Sequence, residues 1–202
     1  VRKMKRIGLV IAVLLLTLQT ATGQTAQAVL DKVATVVNHT GGVTAAFQIS
    51  SAKVNASGTM ALKGQKFQVT TPHGITWFDG KTQWTYVKQN EEVNVSTPTA
   101  AQLQQINPYT FINIYKTGYT STMKTIGSNY KVRLVAQNKK RTVQELILTI
   151  DKKSYIPSQI KMRQGNTWST ITVSNFKAKS ISNSTFVFNS KDFPKAEIVD
   201  LR

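Results

Sequence analysis

The chain has 202 residues, with 26 Lys and Arg against 9 Asp and Glu and a formal charge of +17. It contains no Cys, which excludes disulfides, thiol catalysis and Cys-ligated metal centres. Its 2 His do not make a dedicated zinc site, and the basic balance suits anionic lipid, nucleic acid or an acidic protein face.

Arg2, Lys3, Lys5 and Arg6 open the chain, an apolar run follows from Ile7 to Leu18, and Ala21-Thr22-Gly23 closes the segment. These are the three parts of a secretory signal peptide in order, with an apolar run of about 12 residues, short for a membrane span. The expectation is a signal peptide over 1–23 and a single exported, soluble domain over 24–202; a retained anchor is the alternative. Gln24 to Asn38 reads as a helix with Val29, Leu30, Val33, Val36 and Val37 at helical spacing, stopped by Gly41-Gly42. The period then becomes two: Phe47 and Ile49, Met60 and Leu62, Phe67 and Val69, punctuated by Gly58, Gly64 and Pro72-His73-Gly74. Ile75 and Trp77 lead into an Asp79-Gly80 hairpin turn, after which Trp84 and Tyr86, then Val93 and Val95, alternate. Thr97-Pro98-Thr99 starts a short helix that Asn107-Pro108 breaks, and a second runs from Tyr109 to Lys116. Strand patterns resume with Val132, Leu134 and Ala136, with Val143 to Ile150, with Ile156, Ile160 and Met162, with Trp168 to Phe176, with Phe186 to Phe188, and with Ala196 to Leu201. One antiparallel sheet with two helical insertions is the economical reading, and a meander that large must curl or fold over itself.

Nothing here reads as an enzyme. Glu91 and Glu92 are adjacent, so on a strand they point to opposite faces; Asp79 belongs to a turn; His39 ends a helix and His73 follows a turn proline. There is no phosphate-binding loop or Gly-x-Ser-x-Gly element, and no metal or cofactor is expected. What remains is an abundance of apolar strand residues. Phe47, Met60, Leu62, Phe67, Ile75, Trp77, Trp84, Tyr86, Leu134, Ile147, Ile160, Met162 and Trp168 can line one concave side of the sheet, either as an ordinary packed core or as a cleft that the short helices cover only in part. Such a cleft suits acyl chains, since each buried methylene contributes about 0.8 kcal/mol.

The segment Thr76-Trp77-Phe78-Asp79-Gly80-Lys81-Thr82-Gln83-Trp84-Thr85-Tyr86, with Gly58 to Phe67 before it and Glu92-Val93-Asn94-Val95 and the Pro98 helix after it, resembles the periplasmic outer-membrane lipoprotein carrier family, LolA-like, and looks closest to its Bacteroidetes branch. Leu30-Asp31-Lys32-Val33, Phe47-Gln48, Phe186, Phe188 and the ending Val199-Asp200-Leu201-Arg202 fit the same order. The resemblance implies a mostly β fold: an unclosed antiparallel half-barrel with an N-terminal helix and a lid of short helices. It implies a periplasmic carrier that shields the acyl chains of lipoproteins, receives them from an inner-membrane ABC-type release complex and delivers them to an outer-membrane receptor or acceptor. The acyl-chain cavity is expected at Phe47, Leu62, Phe67, Trp77, Trp84, Leu134, Ile160 and Trp168, and the inner surface of the lid at Leu103, Ile106, Phe111 and Ile114. Better-known members hold the lid with an Arg on an early strand; this chain offers Lys63 and Lys66 as lid contacts instead, without Arg's bidentate fork. A monomer that binds no nucleic acid is expected. The alternatives are a periplasmic binding protein for another amphiphile and a non-catalytic basic envelope protein.

Overall fold

The computed structural model describes residues 24–99, 102–103 and 113–202. One helix, α1 (Ala26–Val37), precedes twelve strands: β1 (Val43–Ser51), β2 (Asn55–Lys63), β3 (Lys66–Thr71), β4 (Gly74–Phe78), β5 (Gln83–Val87), β6 (Glu92–Ser96), β7 (Tyr119–Ile126), β8 (Asn129–Ala136), β9 (Glu145–Asp151), β10 (Pro157–Gln164), β11 (Thr167–Ala178) and β12 (Glu197–Asp200). All belong to one sheet of order β12-β6-β5-β4-β3-β2-β1-β11-β10-β9-β8-β7. Two antiparallel meanders, β1 to β6 and β7 to β11, are joined where β1 pairs with β11. The last strand, β12, returns parallel to β6. The sheet does not close: β12 and β7 are its edges.

The Thr25 hydroxyl caps α1 by accepting from the Ala28 N–H at 3.1 Å. Val29, Leu30, Val33 and Val37 repeat at helical spacing, so one face of α1 is buried. That face shares one core with Phe67 and Phe78 from the first meander and with Val132, Leu134, Leu146, Leu148 and Ile150 from the second. A flat sheet cannot bring β4 and β8 to one helix, so the sheet curves around α1 as a half-barrel. Gly42 makes the exit from the helix at φ +108, where a side chain would meet the Leu62 carbonyl at 2.8 Å. Asn175 at φ 52 accompanies a register shift between β1 and β11, a bulge that bends the sheet at the join.

Two expected elements differ. Phe186 to Phe188 is not a strand: Asn183–Phe186 forms a 3₁₀ turn capped by the Ser182 hydroxyl, because this segment crosses the sheet's outer face instead of pairing along an edge. The short helix expected from Tyr109 to Lys116 appears, over its described part, as a 3₁₀ turn at Ile114–Lys116. The edge strand β7 escaped the sequence reading because Thr120, Thr122 and Lys124 alternate with Ser121, Met123 and Thr125, a pattern with little apolar contrast.

Candidate functional site: an apolar pocket under the helix

Beside the core, α1 and the sheet diverge and leave a cavity of about 410 Å³. Leu30, Val33 and Val37 of α1 form one wall. Val43, Ala45, Phe47 and Ile49 of β1 form another, with Met60 and Leu62 of β2 beside them, and Ile171, Val173 and Phe176 of β11 and Pro157, Ile160 and Met162 of β10 continue the lining. The strand register explains this set. Phe47 stands opposite Val173, Ile49 opposite Ile171, and Ile171 opposite Ile160; facing residues share a face, so every second residue of three adjacent strands points inward. Among the described residues of the lining, only Ser51 and Ser169 have polar side chains, and they pair across β1 and β11 at one end of it. Gly58 lies opposite Phe47, and a Cβ there would meet the ring's Cζ at 3.0 Å; the missing side chain leaves room for the ring to lie across the strand.

Hydrogen bonds from several elements hold α1 over this pocket. The Tyr115 hydroxyl donates to Asp31 Oδ1 at 2.7 Å, linking the helix to the turn before β7. Burial, with Asp31 beside it, pushes the Tyr115 hydroxyl well above the usual phenol range, so it stays a donor. Tyr130 of β8 donates to Gln24 Oε1 at 2.9 Å, and Lys32 Nζ donates to the Tyr155 hydroxyl at 3.1 Å while lying 4.6 Å from that ring's centroid. The Lys32 hydrogen bond draws the Tyr155 phenol down from its ordinary value. On the outer face, Glu145 accepts from Arg133 Nε at 2.6 Å and from Arg163 Nη2 at 3.3 Å. The Arg133 hydrogen bond holds the Glu145 carboxyl below the usual carboxylate range against the opposing effect of burial.

Of the residues expected to line a cavity, Phe47, Leu62 and Ile160 line this pocket. Phe67 and Leu134 share its face but are sealed in the adjoining core. Trp77 and Trp84 do not share it. Phe78, the neighbour of Trp77, is the residue opposite Phe67, with ring centroids 5.3 Å apart, so Trp77 points the other way. It is 4% exposed because Phe188 and Phe193 of the C-terminal segment cover it, each 5.6 Å away between ring centroids. Trp84 stands opposite Trp77 in the register and takes the same outer face. Ile75, Tyr86 and Ile147 fall on outer faces by the same alternation. Trp168 pairs with Arg163 and also faces outward, its ring 6.0 Å from the guanidinium. The alternation expected within these strands holds, and the inner face is as expected for Phe47, Met60, Leu62, Phe67, Leu134, Ile160 and Met162, but it is inverted for Ile75, Trp77, Trp84, Tyr86, Ile147 and Trp168. The sequence reading also passed over Ile171 and Val173, whose Thr-Ile-Thr-Val alternation carried the signal.

Leu103 and Ile114 pack against the main core; Ile106 and Phe111 lie outside the described residues. Lys63, expected as a lid contact, makes its hydrogen bond elsewhere among the described residues. Its Nζ donates to the Ile181 carbonyl at 2.7 Å on the outer face, and Lys66 stands opposite it on that face. Among the described residues no group of three or more His, Asp or Glu could hold a metal ion, and no helix is long and apolar enough to cross a membrane.

Residues 16–166 match the family model described as outer membrane lipoprotein carrier protein LolA. No curated protein matches the chain. Among solved structures, an uncharacterized conserved protein from Thermus thermophilus is similar at 14% identity and a TM-score of 0.59, over 87% of this chain and 98% of that one. A chain in the Pseudomonas aeruginosa MucA/MucB complex is similar at 8% identity and a TM-score of 0.52, over 82% of this chain and 62% of that one. At such identities these likenesses show the shared fold.

Proposed function

This chain belongs to the outer membrane lipoprotein carrier protein LolA family, and on that premise we propose that it is a non-catalytic periplasmic binding protein that takes the apolar tail of an amphiphile into the pocket under α1. The observation that carries the reading is the pocket's lining, in which only Ser51 and Ser169 are polar among the described residues. A volume of about 410 Å³ lies within the range of small-molecule sites, about 300–1,000 Å³. With no polar side chain deep in the wall among the described residues, affinity comes from removing methylenes from water.

Family membership favours a finer reading, in which the tails are those of lipoproteins. The chain then accepts cargo from an inner-membrane ABC-type release complex and passes it to an outer-membrane acceptor, as a Bacteroidetes-type member of the family. Residues 1–23 serve as the signal peptide and 24–202 as the single working domain; Leu103, Ile106, Phe111 and Ile114 line its lid. Another amphiphile is the second reading, and a described lining whose only polar side chains are Ser51 and Ser169 supports it.

Binding of a di- or triacylated peptide, its unlipidated form and a lysophospholipid to the purified protein tests these readings. Capture of the lipidated peptide alone supports lipoprotein carriage. Equal capture of lysophospholipid supports the broader amphiphile reading. Equal binding of the unlipidated peptide overturns both and leaves a basic envelope protein without a tail site.

A further inference from the structure

We infer that the end of the sheet at which Ser51 and Ser169 meet docks the protein onto the surface of a bilayer rich in anionic phospholipid, with the pocket mouth against the lipid. The inference rests on the tail-binding reading and adds to it the partner surface. Register places three hairpin tips at this end. Ser51 pairs with Ser169, Met162 pairs with both Ser169 and Leu146, and Leu146 pairs with Leu134, making one inward-facing row. One step toward the tips, Trp168, Arg163, Glu145 and Val135 make an outward-facing row. The tips between β1 and β2, β10 and β11, and β8 and β9 are therefore neighbours around the mouth.

Two large apolar side chains stand out there. Val54 is 51% exposed although it also lines the pocket. Its position is built: the Ser51 hydroxyl accepts from the N–H groups of Lys53 and Val54 at 3.2 and 2.9 Å, and the Ser51 N–H donates to the Val54 carbonyl at 2.8 Å. Trp168 is 38% exposed on the adjacent tip. Around them these tips carry Lys53, Lys139, Lys140, Arg141 and Arg163. Their one acid is Glu145, already engaged by Arg133 and Arg163. The next acids at this end, Glu91 in the turn between β5 and β6 and Glu92 at the start of β6, are four or more strands from β1. Exposed apolar tips ringed by cations, of which Lys53, Lys139 and Lys140 face no acid among the described residues, match the interface of an anionic bilayer, where Trp settles at headgroup depth and each Lys or Arg adds attraction. The arrangement also answers a physical need. A tail crossing water between bilayer and pocket loses about 0.8 kcal/mol for each methylene exposed, and a mouth seated on the bilayer spares it that exposure.

The test uses the chain from Gln24 onward, which contains every core residue of the described structure. Sedimentation with vesicles of phosphatidylglycerol mixed equally with phosphatidylcholine is compared with phosphatidylcholine alone, at low and high salt. Binding is expected to the mixed vesicles and to weaken with salt. K139A/K140A is expected to bind them about thirtyfold more weakly, and V54S/W168S to lose most of the remainder. Brominated lipid in the mixed vesicles should quench wild-type fluorescence and leave a W168F protein largely unquenched. A fluorescent fatty acid, titrated without vesicles, should bind wild type, K139A/K140A and W168F alike. Failure of wild type to bind mixed vesicles, variants that bind like wild type, or equal quenching of W168F each overturn the docking. Tighter binding to polyglutamate than to vesicles, unaffected by V54S/W168S, overturns it in favour of an acidic protein partner. Failure of wild type to bind the fatty acid overturns the tail pocket instead, and vesicle binding is read separately.

Discussion

Replacing Val173 by Trp should cut the pocket across its length and turn the protein into a binder of short tails. The nine residues of β1 extend about 26 Å, and their inner face lines the pocket from Val43 to Ser51. An extended hydrocarbon advances about 1.3 Å per carbon, given C–C bonds of about 1.5 Å, so the full length takes about 20 carbons. Val173 stands opposite Phe47, level with the fourth residue below Ser51, so a plug there leaves about 13 Å and room for about ten carbons. Each further methylene buried in wild type contributes up to about 0.8 kcal/mol; ordering the tail offsets part of this. Lengthening a tail from ten to sixteen carbons should then strengthen wild-type binding about a hundredfold or more. The same lengthening should leave the V173W affinity flat, with short tails bound within about threefold of wild type. Displacement of a fluorescent fatty acid by a series of acyl-glycines reads both slopes. Overfilling costs about 1–3 kcal/mol of stability, so a melting curve must show the variant folded. Parallel slopes for the two proteins, or no slope in wild type, would refute the reasoning that the tail runs down β1.

Trp77→Ala should destabilise the protein by about 3 kcal/mol, a fall of about 10 °C in Tm for a chain of this size, while fatty-acid affinity stays within about twofold. Hydrogen exchange should rise in the segment from Asn183 to Phe193, which Trp77 holds through Phe188 and Phe193; a loss of affinity without a loss of stability would place Trp77 in the site instead. The lowered carboxyl of Glu145 makes a pH-dependent contribution to stability, weakened by solvent because Arg133 is half exposed. That contribution is fully present above the ordinary value of 4.5 and is lost as pH falls through the lowered folded value. Urea midpoints should therefore separate wild type from E145Q at neutral pH and converge on acidification; a constant separation would mean that ionisation is not the cause.

Much of the fold was legible because it rests on local rules. The helix spacing of Val29, Leu30, Val33 and Val37, the Asp79-Gly80 turn and the alternation of the strands from Phe47 to Val95 all reappear in the structure. The Asp79 carboxylate accepts from the N–H groups of Lys81 and Thr82, both at 2.8 Å, which is the chemistry a turn Asp predicts. The face of β4, β5, β9 and β11 was not legible, because it depends on what covers the sheet from far along the chain. Nothing near Trp77 says that Phe188 and Phe193 will cross the outer face, and a shift of one residue inverts every assignment in a strand. The ties between Asp31 and Tyr115 and between Lys32 and Tyr155 span 84 and 123 residues, beyond the reach of any local pattern.

The sheet changes its covered side at β4, and this decides what each half can do. Trp77 and Phe78 are adjacent and 4% and 1% exposed, so β4 is buried on both faces. On the α1 side of β4 toward β10, inward residues are apolar: Phe67, Met60, Phe47, Ile171, Ile160. Past β4 the sense reverses: Gln83, Thr85 and Asn94 take the inner face, while Trp84, Tyr86, Val93 and Val95 take the outer. The segment that makes the chain resemble its family, Thr76 to Tyr86, therefore packs the C-terminal segment onto the outside and does not line the pocket. That work needs specific shapes, with Phe193 4.7 Å from Tyr86 and 5.6 Å from Trp77 between ring centroids. The pocket needs only apolar surface of roughly the right volume, a demand that Ile, Val, Leu, Met and Phe can exchange at modest cost. Exchanges such as Ile171→Leu or Val173→Ile should accordingly retune tail preference without disturbing the fold, whereas the β4–β5 hairpin has no such freedom.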